Sequence, residues 1–190
     1  MSKIPGRPRT GFKQKNPQEL TNVTINEIEK YVDYLYEKPE EKIKGARFLL
    51  YLVQSPENIS IICDEHEKLL DVISRTLRDE HKKILELSIY LIYFFYAFSQ
   101  YQVFHPFLLH RSVGEICMGI IEYNLLKYDY RKEELIHMST SNKLSNKDYQ
   151  INLEKFLFLV RKQDRLLTKA FQILHRLAED PKVEVKMVKK

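Results

Sequence analysis

The stretch His81–Glu122, HKKILELSIYLIYFFYAFSQYQVFHPFLLHRSVGEICMGIIE, decides the fold. It opens on a charged turn and passes into Leu87–Leu109, 23 residues without a Lys, Arg, Asp or Glu. At about 100° per residue, Leu87, Leu91, Phe94 and Phe98 share one helix face, Ile92 and Ser99 lie on a flank, and Ile89 and Tyr96 fall on the far side. A helix that is apolar nearly all round has to be buried nearly all round. A bilayer span needs about 20 apolar residues, and Gln100, Gln102, His105 and Pro106 break this run first. The reading is therefore a sandwiched helix, expected over His81–Tyr101. Pro106 ends the segment, and an amphipathic helix from about Leu109 follows with Val113, Ile116, Cys117, Ile120 and Ile121 inward. A buried helix, a short turn and another helix make one unit of an α-solenoid.

Upstream, Thr24-Ile25-Asn26-Glu27 has the form of a capping box, opening a helix that buries Ile25, Ile28, Val32 and Leu35. Lys38-Pro39 closes it, because proline restricts the residue before it and suits the first turn of the next helix. That helix, Glu40–Gln54, carries Ile43, Ala46, Leu50 and Val53 inward. A short helix near Asn58–Cys63 leads to Glu67–Leu77, with Leu69, Leu70, Ile73 and Leu77 inward. Downstream, the charged segment Lys127–Ile136 reads as an extension of the preceding helix, and Ser139–Lys147 as a polar loop. A long helix from Tyr149 shows Phe156, Val160, Leu167, Ala170, Phe171, Leu174 and Leu177 at helical spacing, until Asp180-Pro181 breaks it.

These helices repeat. Ile62, Leu69 and Ile73 recur as Leu109, Ile116 and Ile120, each 47 residues on, a period within the armadillo and HEAT range. Ala46-x3-Leu50 likewise recurs as Ala170-x3-Leu174. The fold read from this pattern is all-α, an armadillo-type α-solenoid spanning residues 19–190. Its last repeat is expected to be incomplete, with Leu177, Val183 and Met187 left as an uncapped apolar end prone to self-association.

The net charge of +5 has one source. Met1–Gln18 carries Lys3, Arg7, Arg9, Lys13 and Lys15 and no acid, so removing it leaves 26 basic against 26 acidic residues. A balanced body speaks against a dedicated nucleic-acid surface. Residues 1–18, with three prolines and two glycines, read as a disordered, solvated leader. The polar N-terminus has no apolar signal segment, and Cys63 and Cys117 inside apolar patterns suit reduced thiols in the cytoplasm.

The run Glu19–Glu37, ELTNVTINEIEKYVDYLYE, resembles the kinesin-associated protein family, the non-motor armadillo subunit of heterotrimeric kinesin-II. Further similarity lies in Ser55-Pro56-Glu57-Asn58, Ile116-Cys117-Met118, Leu177-Ala178-Glu179-Asp180 and Val185-Lys186-Met187. The likeness covers Glu19–Met187, with Lys127–Lys155 poorly matched. It implies a scaffold that binds the tails of kinesin-II motor subunits and links them to cargo adaptors. It also implies a cytoskeletal setting, in microtubule-based and intraflagellar transport in the cilium. Members of the family continue through many more repeats, whereas this sequence stops as a new one begins. A helical protein-binding module unrelated to motors is the alternative.

No phosphate-binding glycine loop, nucleophile elbow or HExxH is present, so no enzyme is read. Cys63-x-x-His66 has metal-ligand spacing, with His105, His110 and Cys117 as possible companions. A zinc site takes about four ligands, so the cysteines are read as small core hydrophobes and no metal or cofactor is expected. Asp64, Glu65 and Glu67 suit the positive end of a helix. Tyr90, Tyr93 and Tyr101, with Ala97 between them, line one edge of the organising helix. In armadillo proteins that helix lines the concave groove, which makes these three the candidate partner-binding residues. The competing reading is that their rings cap the core with hydroxyls reaching water.

The leader contributes no apolar stripe. Deleting Met1–Gln18 is therefore expected to leave the melting temperature unchanged within error, as read by circular dichroism.

Overall fold

Prolines set the helix starts. Pro39 and Pro56 open helices and Pro106 lies in the first turn of a third, where their missing N–H groups would have had no partner. The computed structural model describes residues 22–140 and 146–181, and among these all regular structure is helical. The helices are α1 (Ile28–Asp33, with 3-10 turns Ile25–Glu27 and Tyr34–Tyr36 on either side), α2 (Pro39–Leu52), α3 (Pro56–Glu65) and α4 (Glu67–Glu80). They continue as α5 (Leu85–Ser99), α6 (His105–His110), α7 (Val113–Thr140) and α8 (Asn146–Ala178). Residues 1–18, residues 141–145 of the expected loop, Val183 and Met187 lie outside the described residues. At both ends of the expected Ser139–Lys147 loop the chain is helical, since α7 runs through Thr140 and α8 begins at Asn146.

As its composition requires, α5 is buried nearly all round. It packs against α2 on one side and α8 on the other, with α4 and α6 also against it. Phe94, Phe95 and Phe98 are wholly buried. Their rings stack edge-on or tilted, with Phe94 5.4 Å from Phe95 and 5.0 Å from Phe98 between centroids. Ser88 and Ser99, the buried polar side chains of α5, donate to the backbone oxygens of Ile84 and Tyr96 at 2.9 and 2.8 Å. The helix is shorter than read at both ends. Residues 81–84 form a turn closed on Glu80 O, and the backbone at Tyr101 is already extended.

Two rows of helices result: α2, α5 and α8 touch in that order, as do α1, α4 and α7. Helix α3 packs on α4, and α6 on α5 and α7. The 47-residue offset thus relates α3–α4 to α6–α7, and Ile73 and Ile120 are both wholly buried. Gly45 lets α2 close onto α1, since a Cβ there would stand 2.5 Å from Tyr31 O. The inner faces expected for α4 and α7 hold, with Leu70, Ile73, Leu77, Val113, Ile116, Cys117, Ile120 and Ile121 buried and Leu69 half-buried at the edge.

Three expectations fail for physical reasons. Thr24 makes no side-chain cap. Its N–H donates instead to the Tyr31 hydroxyl, 3.3 Å away, which donates in turn to Glu27 Oε2 at 2.8 Å. That bond, with Lys30 second, holds the Glu27 carboxyl below its ordinary range. On α8 the buried stripe is Gln163, Leu166, Ala170, Ile173 and Leu177, so Phe171 stands 53% exposed. Two apolar stripes that share Ala170 and Leu177 compete on this helix, and the one with Leu166 and Ile173 takes the inner position. Leu177, expected at an open end, is 0% exposed.

Buried polar ties cross between helices. Gln163 Nε2 donates to Asn124 Oδ1 at 3.1 Å, joining α8 to α7. His105 lies between Asp180 Oδ2 (2.8 Å) and Ser99 O (3.0 Å), so both ring nitrogens face oxygen acceptors. Lys42 Nζ of α2 meets Glu80 Oε1 of α4 at 2.8 Å, both side chains mostly covered. Burial raises the thiol pKa of Cys63 and Cys117 to about 12, so both stay protonated. No described helix is long and apolar enough to cross a membrane.

Phe94→Ala should cost about 3–5 kcal/mol in urea unfolding, whereas Phe171→Ala should cost well under 1 kcal/mol. Glu80 supplies a pH test. Its carboxyl is held below the ordinary range chiefly by the Lys42 hydrogen bond, against some desolvation. A depressed carboxyl stabilises above its unfolded pKa, and that contribution is lost as pH falls through the folded pKa. Glu80→Gln should therefore cost about 1 kcal/mol at pH 7, shrinking toward zero in acid. A loss of equal size at both pH values would exclude the ion pair as its cause.

Candidate partner-binding surface

Burial leaves α5 little to show. Beyond Leu85, only Glu86, Tyr90 and Tyr96 are not buried, with Gln100 just past its end. At helical pitch these four fall within about one third of the circumference, forming a narrow strip between α2 and α8. The strip is aromatic because the row's open face begins where the phenyl core of α5 ends.

Helix α8 lays cations along this strip. Lys169 Nζ lies 3.7 Å from the Tyr96 ring centroid and 5.4 Å from that of Tyr93. The Arg176 guanidinium sits 4.9 Å from the Tyr96 centroid, and its Nη2 donates to the Tyr96 hydroxyl at 3.4 Å. Lys162 Nζ is 3.6 Å from Glu86 Oε2 and 4.8 Å from the Phe158 centroid. A cation over a ring face is attracted by the ring quadrupole, by about 0.5–1 kcal/mol at exposed sites.

Each tyrosine feels this setting differently. Burial raises the Tyr90 phenol above its ordinary range, Glu86 adds to the rise, and Arg47 of α2 opposes it. Burial also raises the Tyr93 phenol, and Arg165 opposes that shift. Both hydroxyls therefore remain neutral donors at physiological pH.

Of the three tyrosines read from the sequence, Tyr90 is half-buried on the strip. Tyr93 lies one turn on but is only 8% exposed, its ring sunk beneath Lys169. Tyr101 does not continue the line. It lies past the end of α5, edge-on to Phe104 at 6.0 Å between centroids. Helical spacing on α5 puts Tyr96 on the far side from the phenyl core and gives no hint of the α8 cations over it, so both escape the sequence reading. A signal for those existed: Lys162, Arg165, Lys169 and Arg176 recur at spacings of three, four and seven, which is one face of a helix.

The cysteines and histidines do not assemble. Among the described residues no three His, Cys, Asp or Glu side chains converge as metal ligands. His105 is engaged with Asp180 and Ser99, and Cys63 and Cys117 pack as thiols. What the strip offers chemically is flat aromatic surface, hydroxyl donors and positive charge, suited to an extended or helical polypeptide with carboxylates.

No solved structure matches the chain. The family model described as kinesin-associated protein (KAP) matches residues 7–190, nearly the whole sequence. The chain belongs to the kinesin-associated protein family.

Proposed function

We propose that this chain is a non-catalytic adaptor of kinesin-II, built as an armadillo-type α-solenoid, that holds motor tails and links them to cargo. Cytoplasmic, microtubule-based transport, including intraflagellar transport in the cilium, is its proposed setting. Family membership supports the motor connection. The two rows of helices and the 47-residue offset support the solenoid. On this reading α3–α4–α5 and α6–α7–α8 are successive three-helix repeats, with α2, α5 and α8 as the helices that line the groove.

The observation that carries the binding reading is the tyrosine–cation strip of α5 and α8. Tyr90 and Tyr96 are the proposed contacts, Tyr93 supports them from beneath, and Tyr101 flanks the strip beyond the helix end. Tyrosine suits such a role because it brings a rigid ring and a polar tip at low entropic cost.

Capture of a purified kinesin-II motor-subunit tail on the immobilised chain tests this. Tyr96→Ala should weaken capture by about 1–2 kcal/mol, the range of a contributing interface ring, with the melting temperature little changed. Tyr93→Ala should lower stability as well, since its ring is buried. Equal capture by wild type, Tyr90→Ala and Tyr96→Ala would move tail binding off this face.

A further inference from the structure

A second surface lies in the other row of helices, where α4 passes the turn between α6 and α7. A cavity of about 230 Å³ opens there, lined among others by Arg75, Arg78, His110, Arg111 and Ser112. Three of these carry guanidinium groups, and Asp71 is the one acid in the lining. We propose that this pocket binds the phosphate monoester of a phosphoserine or phosphothreonine on a partner protein.

Arg111 forms the fixed wall. Its side chain is buried, with Nη1 donating to Phe107 O at 3.2 Å and Nη2 to Glu67 O at 3.0 Å. Glu67 Oε1 at 3.2 Å and Asp71 Oδ1 at 2.9 Å from Nε answer its charge. With two carboxylates against its one guanidinium, this cluster shapes the pocket and supplies no positive field. The field comes from Arg75 and Arg78, both exposed on α4 and one turn apart. Among the described residues Arg75 has no ion pair. Arg78 Nη2 reaches Arg111 O at 3.5 Å, which holds its guanidinium over the α6–α7 turn.

That turn completes the site. Ser112 has φ of 53°, the left-handed region that a non-glycine residue seldom adopts. It places Ser112 and the exposed His110 on the pocket lining just before α7 begins at Val113. The start of a 28-residue helix adds partial positive charge to that of the two guanidiniums.

Two guanidiniums without an ion pair among the described residues match the charge of a phosphate dianion better than that of a single carboxylate, and their forks suit its oxygens. A nucleic-acid backbone fits less well. It would need a run of cationic contacts along its length, and the chain outside residues 1–18 is charge-balanced. A protein partner accords with the family, and the site is independent of the tyrosine strip.

The test uses the full chain and three probes: a neutral peptide with one phosphoserine, its unphosphorylated twin, and inorganic phosphate. Calorimetric titration should show saturable binding of the phosphopeptide, with the twin at least about tenfold weaker. Arg75→Gln combined with Arg78→Gln should lose about tenfold or more of that binding at unchanged melting temperature. Ser112→Gly, which relieves the backbone and removes the hydroxyl, should weaken it by a smaller factor. Tyr96→Ala should leave it intact, so failure here and failure of the motor-tail reading are separable. Equal binding of the twin, undiminished binding by the arginine variant, or inorganic phosphate bound as tightly as the phosphopeptide would each overturn the proposal.

Discussion

The structure depends on one requirement: α5 has no face it can give to water without exposing large apolar side chains. Eleven of its fifteen residues are buried. A helix of that kind is stable only when neighbours cover it on several sides, so α2, α4, α6 and α8 are all drawn to it. Burying a side chain the size of Phe or Leu is worth about 1.5–3 kcal/mol. The phenyl cluster of Phe94, Phe95 and Phe98 therefore rewards close packing by partners distant in sequence. The row α2–α5–α8 is the geometrical answer, because a helix between two neighbours, with others also against it, keeps only a thin strip open.

Close packing by α8 is secured by polar contacts that hydrophobic burial alone would not specify. The Asn124–Gln163 pair fixes α8 against α7, and Asp180 fixes the chain just past α8 against His105 at the start of α6. Leaving either partner buried and alone would cost more than the pair contributes. Such contacts select one register between helices whose apolar surfaces would tolerate several. On α8 this matters, because its second apolar stripe, with Phe171, would otherwise compete for the inner position.

What was legible in the sequence follows from the range of the interactions involved. Proline at helix starts, the burial of α5 and the inner faces of α4 and α7 are local signals, and they were readable from spacing alone. The same holds for the 47-residue offset, which needs only two stretches to be compared. The failures were tertiary. The Tyr31 hydroxyl displaced the expected capping box. Which stripe of α8 faces inward depends on its neighbours. No glycine or proline between Ser99 and Pro106 marks the break, so spacing alone carries the helix on to Tyr101 although it ends at Ser99. At the candidate surface Tyr90 and Tyr93 were legible as an edge of α5. Tyr96 was assigned to the far side, and nothing local shows that Lys169 and Arg176, 73 and 80 residues away, would come to lie over its ring.

The character of the strip then follows from the core beneath it. Because α5 must be covered by α8, the α8 residues that flank the contact are brought over whatever α5 leaves open. Those flanking residues are Lys162, Arg165, Lys169 and Arg176, and what α5 leaves open is Glu86, which pairs with Lys162, and the rings of Tyr90 and Tyr96. Aliphatic residues in the open positions would have offered the cations no ring face, and acids there would have cancelled them as ion pairs. Over the Tyr96 ring Lys169 and Arg176 are held in place while their charge stays uncancelled, since a quadrupole attracts a cation without neutralising it. The strip thus keeps positive charge on an ordered surface, and that surface is ordered by the same aromatic helix that forms the core.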